Sequence, residues 1–103
     1  MAENNLITIK LRKPVNYNGK EYTELSFDFD KLTGADGLNI EQELRDAGQG
    51  VIVSPAFNGE YLVRMAAKAC TEPVNSDIFG IMSLPDSNRI RSEARSFLLT
   101  TAE

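Results

Sequence analysis

The chain has 103 residues, 42% of them hydrophobic and 25% charged, a balance typical of folded proteins and far from the low-hydrophobicity signature of disorder. Zero histidines and a single cysteine exclude an intrachain disulfide, remove the usual general base with every Ser-His or Cys-His pair, and leave a structural zinc without ligands. The net charge of −4, with no dense run of Lys and Arg, offers no attraction to a phosphate backbone or an anionic lipid surface, so neither nucleic acid nor membrane is expected as a partner.

The length is close to the commonest size of a single domain, and residues 1–103 read as one domain with 1–5 and 100–103 frayed. No apolar stretch approaches the roughly 20 residues that span a bilayer. Residues 1–10 lack the basic start and apolar middle of a secretory signal, which points to a cytoplasmic protein.

Residues 6–11 alternate, with Ile7, Ile9 and Leu11 on one face and Thr8 and Lys10 on the other, the period of a half-buried strand. A second alternating run covers 22–30, where Leu25, Phe27 and Phe29 oppose Glu24, Ser26, Asp28 and Asp30. Asn18-Gly19 between them readily takes the positive φ angles of a type I′ turn, which makes the strands antiparallel. A two-residue turn there sets Ile9 opposite Asp28 and Leu11 opposite Ser26, apolar against polar. Since a one-residue slip exchanges the two faces, one strand needs an extra residue to bring the apolar sets together. A bulge is expected near Lys13-Pro14, because proline cannot donate to a ladder; a longer turn is the alternative.

From Leu32 onward the period becomes helical. Thr33 followed by Asp36 approximates a capping box, Ala35, Leu38, Ile40, Leu44 and Ala47 form an imperfect stripe interrupted by Gly37, and Gly48 is a plausible stop. Residues 49–53 read as a brief extended connection. Ser54-Pro55 looks like a cap with proline at the first helical position, opening a second helix that carries Phe57, Tyr61, Leu62, Met65, Ala66 and Ala69 on its buried side and ends before Pro73. Asn75-Ser76-Asp77 caps a short third helix through Met82, and Ser83-Leu84-Pro85-Asp86 opens a fourth with Ile90, Ala94, Phe97 and Leu98 at helical spacing. The fold class is α+β: an N-terminal antiparallel β-hairpin packed against a bundle of three to four short α-helices.

Little in this pattern carries catalysis. Asp28 and Asp30, two apart on a strand, present their carboxylates on one face, yet the further oxygen ligands of a calcium loop do not follow, and a solvated acidic face is the simpler reading. Gly34-Ala35-Asp36-Gly37 lacks the Lys-Ser/Thr of a phosphate loop, and Cys70 on an apolar helix face reads as a small core residue. Arg91 and Arg95, four apart, form a forked basic patch suited to a carboxylate-bearing partner, or an ordinary helix surface. No catalytic residue, metal or cofactor is assigned.

Several segments read together: Leu11-Arg12-Lys13-Pro14-Val15, then Tyr17-Asn18-Gly19-Lys20-Glu21-Tyr22-Thr23-Glu24-Leu25, the helix start Leu32 to Asp36, and a last helix with Pro85, Asp86, Asn88 and Phe97-Leu98. Together they resemble the small tail assembly chaperones of tailed bacteriophages. The resemblance implies a nonenzymatic role in viral morphogenesis: binding the tape measure protein, aiding assembly of tail tube protein around it, acting as a homo-oligomer in the host cytoplasm, and absence from the mature virion. A second, longer form made by frameshifting belongs to the same implication. The competing readings are a minor structural or adaptor subunit of a phage particle and a small carboxylate-based enzyme. Chaperoning a helical partner calls for apolar surface beyond the core. The candidate contacts are Phe57, Tyr61, Leu62 and Met65 on the second helix and Ile90, Arg91, Arg95 and Phe97 on the last.

Overall fold

A computed structural model describes residues 6–50 and 54–100. Of the expected fraying at 1–5 and 100–103 and the extended connection at 49–53, residues 1–5, 51–53 and 101–103 lie outside the described residues, and Thr100 is the last residue of the final helix. The chain forms an antiparallel hairpin of β1 (Ile7–Tyr17) and β2 (Lys20–Phe27) followed by three helices, α1 (Gly34–Asp46), α2 (Gly59–Ala69) and α3 (Leu84–Thr100), an α+β fold. Three short 3₁₀ turns, Phe29–Lys31, Pro55–Phe57 and Ser76–Gly80, link them.

The hairpin turn is the expected one, with positive φ at both Asn18 (52°) and Gly19 (81°). The bulge is present and larger than one residue. Paired residue numbers total 37 from Tyr17↔Lys20 to Val15↔Tyr22 and 34 from Lys10↔Glu24 to Ile7↔Phe27, so residues 11–14 face Thr23 alone. Three extra residues exchange the faces as one would. Ile9 is thereby paired with Leu25 and Val15 with Tyr22, and all four are buried on the core side. On the opposite face Thr8 Oγ1 and Ser26 Oγ hydrogen-bond at 2.8 Å.

β2 ends at Phe27, earlier than the alternation suggested, and Phe29 and Asp30 lie in the 3₁₀ turn Phe29–Lys31. The edge of β2 there is covered by the exit of α2. The Asp28 amide donates to the Ala69 carbonyl at 2.8 Å and the Thr71 amide to the Ser26 carbonyl at 2.9 Å, a bridge centred on Phe27 and Cys70. This bridge ties the exit of α2 to the sheet and covers the outer edge of β2 at its last residues.

Each helix starts where its chemistry allows. Thr33 caps α1 in a full capping box: its hydroxyl accepts the Asp36 amide, and the Asp36 carboxylate accepts the Thr33 amide at 2.8 Å. The helix closes at Gly48, φ 95°, with the Gly48 amide on the Arg45 carbonyl and the Gln49 amide on the Leu44 carbonyl, the paired bonds of a Schellman end. Of the expected stripe only Ile40 and Leu44 are buried, whereas Leu38 is 67% exposed.

The second helix starts later than Ser54-Pro55 implied, because Pro55–Phe57 closes as a 3₁₀ turn and Asn58 supplies the cap, its Oδ1 accepting the Tyr61 amide at 2.9 Å. Its buried face, Tyr61, Leu62, Met65, Ala66 and Ala69, is the expected one without Phe57. The short third helix is the 3₁₀ turn Ser76–Gly80, and Asn75 makes no side-chain cap bond there.

Candidate partner-binding surface

Two polar clamps hold the hairpin on the helices. Residues 11–14 have left the ladder, and the amides of Arg12 and Lys13 find their partner elsewhere. Asp86, fully buried at the start of α3, accepts the Arg12 amide at 2.9 and 3.0 Å and the Lys13 amide at 3.3 Å. Ser83 caps α3 and donates its hydroxyl to Asp86 Oδ2 at 2.8 Å. Burial works to raise the Asp86 pKa, but the bonds from Arg12, Ser83 and Lys13 outweigh it and hold the carboxyl below its ordinary value. At the other end of the hairpin the Tyr17 hydroxyl donates to Asp77 at 2.6 Å and accepts the Asn75 amide at 3.3 Å. The bond to Asp77, with burial, raises the Tyr17 pKa.

Between α1 and α2, Glu43 faces Arg64 at 3.1 Å and Lys68 at 3.2 Å beside a cleft of about 310 Å³. Partial burial works to raise the Glu43 pKa; the two cations outweigh it and leave the carboxyl below its ordinary value. Glu60, 3.8 Å from Arg64, supplies the second carboxylate, so that two acids face two cations. Burial pushes the Cys70 thiol up to about 11, far from a thiolate at neutral pH. Among the described residues no group of three His, Cys, Asp or Glu side chains is arranged to hold a metal ion, and no helix is long and apolar enough to cross a membrane.

The sequence-derived contact residues divide sharply. Leu62 and Ile90 are 0% exposed, and Tyr61 and Met65 are buried with them, so these four are core side chains that hold α2 and α3 to the hairpin. Phe97 is half-buried, with its ring stacked on Phe29 at 5.6 Å, and Phe29 in turn stacks on Phe27. Of the other three, Phe57 is exposed, and Arg91 and Arg95 are half-buried. Phe57 is 69% exposed at the tip of its 3₁₀ turn, and Arg95 lies over its ring at 5.6 Å while donating Nε to the Ala56 carbonyl at 2.9 Å. Arg91 donates to Asn88 Oδ1.

No family model, curated protein or solved structure matches this chain.

Its surface carries a signal that the periodicity did not reveal. Leu38, Ile81, Leu84 and Leu99 join Phe57 as large apolar side chains more than half exposed among the described residues. All five belong to the helical part, whereas the core face of the hairpin is covered. Helical spacing places Leu38, Leu84 and Leu99 beside buried neighbours, and only the packing tells the two apart. Asp28 and Asp30 do not share a strand face as expected, since the strand has ended before them.

Proposed function

We propose that this protein is a tail assembly chaperone of a tailed bacteriophage, a nonenzymatic module that binds an apolar helical segment of the tape measure protein and aids assembly of tail tube protein around it. The observation that carries the binding role is the set of exposed apolar side chains on the helical part, with Phe57 at 69% and Leu38 at 67% exposure. The sequence resemblance supplies the identity of the partner. A buried, protonated Cys70 and the ion pairs among Glu43, Glu60, Arg64 and Lys68 fit a recognition role better than catalysis. Self-association in the host cytoplasm belongs to the same reading, because several weak copies along one filament gain avidity.

Co-expression with the tape measure protein tests it: the two proteins are expected to co-purify, and the chaperone to be missing from purified virions. Stoichiometric recovery in virions would favour the adaptor reading instead.

A further inference from the structure

Most cations on α1 and α2 meet a carboxylate: Arg64 pairs with Glu43 and Glu60, and Lys68 pairs with Glu43. Among the described residues Arg45 on α1 pairs with no carboxylate, and neither do the arginines of α3, of which Arg89 donates to the Lys10 carbonyl at 3.3 Å. Arg91 spends one Nη on Asn88 and keeps a water-shielded Nε without a partner. Arg95 spends Nε on Ala56 and its plane on Phe57. Gly59 leaves the space that Arg91 fills, since a Cβ there would stand 2.8 Å from Arg91 Nη1.

We infer that the Phe57, Arg91 and Arg95 surface recognises an acidic amphipathic helix of the partner protein, with two carboxylates one turn apart flanking an apolar residue that covers Phe57. Arg91 and Arg95 lie four residues apart on α3, a rise of about 6 Å, and carboxylates at i and i+4 of a second helix repeat at that interval. Guanidinium groups receive carboxylates through their N–H donors, here the two Nη of Arg95 and the Nη of Arg91 not spent on Asn88, and an aromatic ring already held under Arg95 offers a rigid apolar anchor. The exposed Leu99, one turn beyond Arg95, extends the contact in the same direction. A nucleic acid backbone is the poorer match, because the chain is net negative at −4.

The inference rests on the chaperone reading and specifies which segment of the partner is bound. Its test uses three synthetic helical peptides with an identical leucine face and Glu, Gln or Lys pairs at i and i+4, titrated against the full chain by fluorescence anisotropy at two salt concentrations. The Glu peptide is expected to bind about fivefold more tightly than the Gln peptide, the effect of two partly exposed ion pairs, with the advantage shrinking at high salt. Arg91→Gln with Arg95→Gln should abolish that preference, with the circular dichroism melt lowered only slightly by the lost Arg95 bond to Ala56 and the protein still folded at the assay temperature. The Arg91→Glu, Arg95→Glu pair should transfer it to the Lys peptide. Equal binding of all three peptides, binding of none, or preferential capture of a single-stranded oligonucleotide would overturn the inference. Co-purification with the tape measure protein is read separately, so a failed charge preference with retained co-purification sinks this inference and spares the chaperone reading.

Discussion

The carboxylate of Asp86 takes the main-chain amide of Arg12 on both oxygens, at 2.9 and 3.0 Å, joining positions 74 residues apart in the chain. The hairpin needs its bulge to align two apolar faces, the bulge strands two amides, and the first turn of α3 supplies the acceptor. Replacing Asp86 by Ala leaves those amides buried without partners and is expected to cost about 2–4 kcal/mol in urea denaturation. Asp86→Asn keeps one acceptor oxygen and should cost less. A loss below about 0.5 kcal/mol for the alanine variant would show that water replaces the carboxylate at no penalty.

The same carboxylate gives stability a pH dependence of fixed sign. Its pKa is lower folded than unfolded, so the stabilisation is complete above the ordinary carboxylate value of about 3.9 and disappears as pH falls through the lowered folded value. The stability gap between the wild type and Asp86→Asn should be wide at pH 6 and close towards pH 2. Urea midpoints across that range measure it, and a gap independent of pH would contradict the assignment.

Gly37 sits in α1 opposite Tyr61, where a Cβ would stand 3.0 Å from the phenolic oxygen. Gly to Ala inside a helix ordinarily adds about 0.5–1 kcal/mol. Here Gly37→Ala should gain little in the wild type and show its full gain in a Tyr61→Phe background. Thermal melts of the four proteins of this double-mutant cycle settle it, and additive effects would remove the hydroxyl as the reason for glycine.

Much of this fold was legible because it depends on short-range chemistry. Asn18-Gly19, the Thr33 to Asp36 capping box and the α2 face from Tyr61 to Ala69 act over a few residues, and each forms as its sequence demands. Parity alone required an odd insertion near Lys13-Pro14, but parity cannot separate one residue from three. The candidate surface was less legible. Tyr61, Leu62, Met65 and Ile90 are buried while Leu38, Leu84 and Leu99 are exposed, and helical spacing treats both sets alike. The link from Asp86 to Arg12 had one available clue: a bulge releases amides that some distant acceptor must satisfy.

Cys70 should behave as a core residue. With its thiol pushed up to about 11 and its surface buried, it is expected to resist a thiol-specific disulfide reagent at neutral pH and to react quickly once urea unfolds the chain. Rapid labelling of the folded protein would show that the bridge between Phe27 and Cys70 opens readily.

The exposed helical surface is the centre of the account, and recovery of co-expressed tape measure protein with variants of this chain tests it most directly. Phe57→Asp and Leu99→Asp place a charge where an apolar contact must be desolvated, without touching the core, since those residues are 69% and 53% exposed. Each should weaken recovery by about tenfold or more while the melting temperature holds. Asp28→Asn with Asp30→Asn, outside that surface, should recover the partner as the wild type does. Loss of the partner in the asparagine pair, with both aspartate variants binding normally, would contradict the account.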